Sequence, residues 1–80
     1  MTKDEIADMI TNELANHLDD VDKEDLDPDI SMRDLGVNSL DLIEVVQAVM
    51  RELDIKIPRS KLADIETING LAEKFAEHVD

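Results

Sequence analysis

The chain has 80 residues, enough for one domain over residues 1–80, and a chain of this length buries only about 60% of its unfolded surface. Its 21 acidic and 8 basic residues give a net charge of −13, which disfavours nucleic acid and anionic membranes and favours partners with basic surfaces. It has no cysteine, no signal peptide and no apolar run approaching the roughly 20 residues of a membrane span. We therefore expect a cytoplasmic monomer with an aliphatic core around its one aromatic residue, Phe75.

The first predicted element is an amphipathic helix over about residues 3–18. Thr2 and Glu5 have the spacing of a capping box, in which each side chain accepts a hydrogen bond from the other residue's backbone N–H. Apolar residues then recur every three or four positions, which predicts one buried stripe formed by Ile6, Met9, Ile10, Leu14 and Leu18.

Residues 19–38 show no sustained period and are predicted to form a long first loop. Pro28 disfavours a helical conformation at the residue before it. Ser31 and Asp34 have the spacing of a short capped turn, which Gly36 can end by adopting a positive φ. The residues predicted to hold the loop against the core are Leu26, Ile30, Met32 and Leu35. So long a loop in so small a domain is usually functional.

The acidic run over residues 19–29 suggests a calcium-binding loop at first sight. An EF-hand loop that starts at Asp20 would need glycine at its sixth position and glutamate at its twelfth. Asp25 and Ser31 occupy those positions, so we predict no metal site.

The second predicted helix, over residues 40–53, is the most apolar segment of the chain, and either Asn38 or Ser39 caps it. Its β-branched residues would also suit a strand, but the length, the cap and the three-to-four spacing favour a helix. The breadth of its apolar face predicts that this helix is the central packing element. That face comprises Leu40, Ile43, Val46, Val49, Met50 and Leu53, widened by Leu42, Val45 and Ala48.

Two further helices are predicted after an extended linker at residues 55–58. Residues 60–65 suit a brief helix with Leu62 and Ile65 facing inward. Thr67 is placed to cap a longer helix whose regular stripe is Ile68, Leu71, Phe75 and Val79. The predicted fold class is therefore all-α, a small four-helix bundle of three main helices and one short helix, with a long first loop.

Ser39 stands where the second helix is expected to begin, beside a carboxylate and directly before the apolar segment. A helix N-terminus carries unpaired backbone N–H groups and a partial positive charge, so it can seat an anion. A hydroxyl fixed there is suited to carry a phosphodiester whose charge is already partly offset. Because an arbitrary serine before a helix is usually a plain N-cap, the surrounding residues must decide between these interpretations.

Residues 35–41 read Leu-Gly-Val-Asn-Ser-Leu-Asp, which resembles the Leu-Gly-x-Asp-Ser-Leu-Asp prosthetic-group signature of acyl carrier proteins. The resemblance continues through Glu44 and residues 53–58 to Thr67, and it covers roughly residues 30–79. It implies that a phosphopantetheinyl transferase attaches 4′-phosphopantetheine from coenzyme A to Ser39. The thiol of that arm would carry acyl groups as thioesters to fatty-acid, polyketide or related biosynthetic enzymes, and the carrier itself would not be catalytic.

The resemblance also implies a surface for docking acyl-loading and acyl-processing enzymes through their basic patches. Asp41 and Glu44 lie three residues apart and should project from one side of the helix, although both could be ordinary first-turn acids favoured by the helix dipole. Asn38 replaces the usual aspartate, and basic residues stand where fatty-acid carriers commonly keep acids, which favours a specialised carrier, for example of the polyketide type. The expected docking residues are Asn38, Leu40, Asp41, Glu44, Met50, Arg51, Arg59 and Lys61.

Two other functions remain open from the sequence. The chain could be an unmodified helical interaction module of the same fold, in which Asn38 and Ser39 only cap the helix, or an aminoacyl or peptidyl carrier. A catalytic serine is disfavoured because Ser-His-Asp chemistry needs a histidine beside the hydroxyl. The two histidines, His17 and His78, are predicted near helix ends, where histidine usually serves as a solvated C-terminal charge.

Overall fold

The computed structural model describes residues 2–18, 22–62 and 64–79, which form four α-helices and one short 3-10 helix. The helices are α1 (Lys3–His17), α2 (Ser39–Leu53), α3 (Arg59–Leu62) and α4 (Ile68–His78), and the 3-10 helix is Lys23–Asp25. Within the described ranges no strand is present, and one isolated bridge pairs Ser31 with Thr67. The all-α class with three main helices and one short helix is confirmed.

Helix α1 begins as its sequence predicts and ends one residue earlier. The Thr2 hydroxyl accepts a hydrogen bond from the Glu5 backbone N–H at 3.2 Å, and Glu5 Oε1 accepts one from the Thr2 N–H at 3.1 Å. The capping box is therefore complete. Ile6, Ile10 and Leu14 have no exposed surface. Because α1 lies against both α4 and α2, it is the central packing element, and the sequence prediction that gave this role to α2 was wrong.

The core is aliphatic around Phe75, which has no exposed surface. Its other members on the last helix are Ile68, Leu71 and Ala72, and those on α2 are Val45, Val46 and Val49. Leu40 was expected on the buried face of α2, but 73% of it is exposed. With about 100° of rotation per residue, Leu40 lies roughly 140° around the helix from Val45. The buried face of α2 is thus narrower than the face that its apolar residues predict, and Leu40 lies outside the buried face.

The loop before α2 is held partly by apolar residues. Leu26 and Met32 are buried and Leu35 is half-buried against the core, as the sequence predicts. Ile30 is 42% exposed, so its predicted role as an apolar anchor was wrong. Val37, which was not singled out from the sequence, is buried directly before the α2 cap.

Backbone hydrogen bonds explain why Ile30 need not be buried. The Met32 N–H donates to the Glu66 carbonyl at 2.7 Å, and the Asn69 N–H donates to the Pro28 carbonyl at 3.0 Å. The Asn69 amide also donates to Asp29 Oδ1. These bonds fasten the loop to the start of α4 on both sides of Ile30, and such non-local pairing leaves no periodic signal in the sequence.

The predicted turn after Ser31 is present, and Gly36 ends it with φ +91°. The Gly36 N–H donates to the Arg33 carbonyl and the Val37 N–H to the Met32 carbonyl, which is the Schellman pattern. A Cβ at position 36 would meet no atom within 4 Å. The backbone conformation rather than space therefore selects glycine here.

Helix α3 is shorter than the predicted span of residues 60–65 and begins one residue earlier. Position 63 lies outside the described residues, whereas Leu62 and Ile65 pack against the core as predicted. Thr67 caps α4, as expected, by accepting a hydrogen bond from the Gly70 N–H at 2.9 Å. None of the described helices has the length and hydropathy needed to span a bilayer.

Candidate functional site

Ser39 is the first residue of α2, and it is exposed. The sequence allowed either Asn38 or Ser39 as the N-cap of α2. In the structure the N-cap is Asn38, whose backbone is extended (φ −92°, ψ 171°). Asn38 Oδ1 accepts a hydrogen bond from the Asp41 N–H at 2.9 Å. Because Asn38 caps the helix, the Ser39 hydroxyl makes no hydrogen bond to any described residue and is available for modification.

The backbone next to the Ser39 hydroxyl also has free donors. The first main-chain hydrogen bond of α2 joins the Leu42 N–H to the Asn38 carbonyl at 3.0 Å. Within the described part of the chain, the N–H groups of Ser39 and Leu40 have no acceptor. Together with the dipole of a 15-residue helix, these donors favour an anion at this end. A phosphodiester on Ser39 would lie beside them.

An apolar groove of about 300 Å³ starts at Ser39 and follows α2. Met50 is the lining residue on α2 that lies furthest from Ser39, and its sulfur accepts a hydrogen bond from the Ile57 N–H at 3.4 Å. Except for Ser39 and Gln47, its walls are aliphatic or thioether side chains, so an acyl chain lying there would leave water. These wall residues are Leu42, Ile43, Val46 and Met50 on one side and Ile57, Leu62, Ile65 and Leu71 on the other.

A smaller, polar depression of about 210 Å³ shares Ser39 with this groove. Arg33, Asn38 and Glu66 contribute to its lining. A flexible group attached to Ser39 therefore has two surfaces within reach, an apolar one along α2 and a polar one beside the preceding turn.

The structure brings part of the expected docking surface together. Leu40 and Glu44 are exposed and Asp41 is partly exposed, all within the first two turns of α2. Met50, by contrast, lies half-buried in the groove wall. The basic members Arg51 and Lys61 are exposed further along the chain, and the side chain of Arg59 lies outside what the structure describes.

His17 has a contact that the sequence did not reveal. Its Nδ1 lies 3.4 Å from Glu44 Oε2, because the end of α1 meets the start of α2. The only sequence signal was its place near a helix end. His78 makes a contact of 3.1 Å to the Lys74 carbonyl within α4. Neither histidine forms a hydrogen bond with Ser39, so the hydroxyl lacks the neighbouring base that a catalytic serine requires.

No metal-binding cluster of three or more His, Asp or Glu side chains is found in the part of the chain that the structure describes. Residues 19–21 of the acidic run lie outside those ranges, and the acidic residues from Asp22 to Asp29 are exposed.

Comparison with known proteins extends the resemblance in the Ser39 motif to most of the chain. Residues 10–75 match the family model described as the phosphopantetheine attachment site. The polyketide-biosynthesis acyl carrier protein AcpK of Bacillus subtilis is 29% identical over 79 residues, covering 99% of this chain and 96% of AcpK. An acyl carrier protein of Cyanidioschyzon merolae is 33% identical over 79 residues, covering 98% of this chain and 86% of that protein.

A solved structure gives the same result. An acyl carrier chain in the crystal structure of the curacin-pathway HMG synthase with its acetyl donor-ACP superposes with a TM-score of 0.74. It is 35% identical, and the match covers 96% of this chain and 99% of that chain. The prosthetic group of such proteins is 4′-phosphopantetheine, and the exposed serine and its groove suit that group. The chain therefore belongs to the acyl carrier proteins, which hold acyl groups on 4′-phosphopantetheine for biosynthetic enzymes.

Proposed function

We propose that Ser39 is the residue that carries 4′-phosphopantetheine. The observation that supports this assignment is the free, exposed hydroxyl of Ser39 at the N-terminus of α2, within the signature over residues 35–41. In the loading reaction the Ser39 oxygen bonds to the phosphorus that bears the pantetheine arm in coenzyme A, while 3′,5′-ADP leaves and the hydroxyl proton is lost. The open N–H groups of Ser39 and Leu40 lie where they stabilise the resulting phosphodiester.

In this proposal the carrier holds and presents its cargo, and the bond-making groups belong to partner enzymes. Neither histidine forms a hydrogen bond with Ser39, and the apolar groove that starts at this serine suits the holding of an acyl chain. The groove shelters an acyl chain between reactions. On one side of α2, the partly exposed Asp41 and the exposed Glu44 attract the basic surfaces of a phosphopantetheinyl transferase and of acyl-processing enzymes.

For the pathway, we propose that the carrier delivers a short acyl group to a synthase of polyketide assembly. A Bacillus polyketide carrier is similar over almost its entire length. The structural match is with a carrier that donates acetyl to an HMG synthase. The basic residues late in α2 and in α3 also depart from the acidic surface expected of a fatty-acid carrier.

The Ser39 assignment is tested by mass spectrometry of the intact protein after treatment with coenzyme A and a broad-specificity transferase. The unaltered protein and Ser60→Ala should each gain one phosphopantetheine, because Ser60 lies exposed in α3 outside the signature. Ser39→Ala should gain none. Full modification of Ser39→Ala would place the arm elsewhere and contradict the proposal.

The pathway assignment requires a second measurement. The carrier loaded with acetyl-phosphopantetheine is mixed with the curacin HMG synthase or with a fatty-acid ketosynthase, and acetylation of each enzyme is followed by mass. We expect transfer to the synthase to be the faster reaction. Faster transfer to the ketosynthase would favour a role in fatty-acid synthesis instead.

A further inference from the structure

The positive charges of this acidic chain are concentrated in one segment. Residues 47–62 hold four basic and two acidic residues, a net charge of +2, so the other 64 residues carry −15. We name three of these four bases the basic patch: Arg51, Lys56 and Lys61. The side chains of Arg51, Lys56 and Lys61 are described, and all three are exposed.

Arg51 and Lys56 of the basic patch lie beside the far end of the groove that starts at Ser39. Arg51 and Lys56 line a second depression, and Gln47 and Met50 line both this depression and the groove. The two hollows are therefore continuous along one side of α2. From Ser39 to Arg51 the helix advances about 18 Å at 1.5 Å per residue.

The cations of the basic patch differ from the other lysines in their surroundings. Lys3, Lys23 and Lys74 each have a carboxylate oxygen within 4.0 Å. Among the described residues, no carboxylate lies within that distance of the three basic-patch side chains named above. Asp54 also lines the depression with Arg51 and Lys56, so one acid reduces the local positive charge without forming an ion pair.

We propose that the basic patch is a second docking contact, which binds a carboxylate-bearing surface on the synthase that takes the acyl group. This inference rests on the proposed function as a donor carrier. The partner would bind Asp41 and Glu44 through basic residues near its active-site entrance and the basic patch through acidic residues about 11–15 Å further along α2, the axial rise from Glu44 and Asp41 to Arg51. Two contacts of opposite sign fix the direction of α2 on the enzyme, because a reversed carrier would bring like charges together.

A second copy of the chain is the competing occupant, since acids at one end of α2 and bases at the other are complementary in an antiparallel pair. The net charge of −13 on each copy opposes that association. Such a pair would also cover Ser39, from which the groove begins. An enzyme with a carboxylate-bearing rim satisfies the same charges and leaves the arm free to enter its active site.

The test is acetyl transfer from the loaded carrier to the curacin HMG synthase, measured as kcat/KM. The variant Arg51→Glu/Lys56→Glu is compared with Lys3→Glu/Lys74→Glu, which changes the total charge equally on the α1 and α4 side. We expect the first to lower kcat/KM about tenfold at low salt and the second less than about twofold. The difference should shrink at several hundred millimolar salt, and Arg51→Lys/Lys56→Arg should retain the rate.

Circular dichroism and loading of Ser39 by a transferase are measured for every variant, because both should be unchanged. Equal losses in the two charge-reversal variants would overturn the proposal, and so would a gain in the basic-patch variant. Sedimentation as a dimer that Arg51→Glu/Lys56→Glu disrupts would assign the surface to self-association and overturn it too. If Ser39 loads fully but the unaltered carrier transfers no acetyl, this docking partner is refuted. If Ser39 does not load, the failure belongs to the carrier assignment.

Discussion

The side of the molecule formed by α1 and α4 is closed, whereas the side formed by α2 and α3 is open. Ile6 and Phe75 have no exposed surface, and Lys3 pairs with Glu73 across α1 and α4 at 3.7 Å. On the other side Ile43 and Leu62 stay half-buried along the groove. The contrast shows that a small domain can place its stabilising contacts on one side and keep the other for binding, since binding regions belong to the less stable part of a fold.

The largest expected difference is between Phe75→Ala and Leu62→Ala. Phe75 is fully buried, so its truncation should lower the free energy of unfolding by about 3–5 kcal/mol. Domains of this kind have only about 5–15 kcal/mol in total, so this loss is a large fraction of the stability. Leu62 is half-buried, so its truncation should cost about 1 kcal/mol. Urea denaturation followed by circular dichroism gives both values, and equal losses would remove the distinction between the two sides.

The next effect concerns the turn that leads into the open side. Gly36→Ala should cost about 1–2 kcal/mol because an L-residue is unfavourable at this positive φ. Gly70→Ala on the closed side gains about 1 kcal/mol of helix propensity, but its Cβ would lie 3.0 Å from Ile65 Cγ2 and 3.1 Å from Thr67 Oγ1. These two terms oppose each other, so little net change is expected. The same denaturation experiment decides, and a stable Gly36→Ala variant would contradict the role of the turn.

Removing a helix cap should cost similar stability on either side but affect loading on one side only. Thr2→Ala and Asn38→Ala should each lower the free energy of unfolding by about 1 kcal/mol. Asn38→Ala should also slow transfer of phosphopantetheine, because Asn38 sets the start of the helix that carries Ser39. Loading rates are measured at a temperature where both variants are folded, with Asn38→Asp as the control that keeps a cap. Equal slowing by Thr2→Ala would indicate a general stability effect.

The smallest effect is a pH dependence at α1. Hydrogen bonds from the backbone N–H and the hydroxyl of Thr2 hold the pKa of the Glu5 carboxyl below its usual value. A carboxyl whose pKa is lower in the folded state stabilises fully above its unfolded pKa and loses this effect as pH falls through the folded pKa. The melting temperature of Glu5→Gln should therefore be below that of the unaltered protein at neutral pH, and the gap should close in acid. A constant gap would mean that the Glu5 charge does not matter.

The helix ends were predictable from the sequence where their caps are local. Thr2 with Glu5 and Thr67 with Gly70 make contacts over three residues, so their spacing carries the information. The 3-10 helix at Lys23–Asp25 was not predicted, because three residues are too few to show a period. The exposure of Leu40 and Ile30 also escaped prediction, since it depends on where distant elements lie rather than on the apolar pattern.

The candidate site, like the fold, was predictable from the sequence only where its features are local in the chain. Ser39 and its helix follow from a contiguous motif and from a cap one residue away. The groove could not be predicted, because Met50, Ile57 and Leu62 lie in different parts of the chain and line one surface only in the folded protein. The contact between His17 and Glu44 likewise depends on how α1 crosses α2. In both cases the residue types were visible and their positions in space were not.

The backbone hydrogen bonds between the first loop and the start of α4 divide the loop into a part that should tolerate insertions and a part that should not. Residues 28–32 are tied to residues 66–69 by backbone hydrogen bonds, so residues 22–25 form an arc that is already fixed beyond its far end, there and by the buried Leu26. Lengthening such an arc costs little, because closure entropy grows slowly with loop length. A dye or affinity tag inserted after Asp25 should therefore leave Ser39 in place. The same insertion between Met32 and Gly36 would displace the turn that positions the serine.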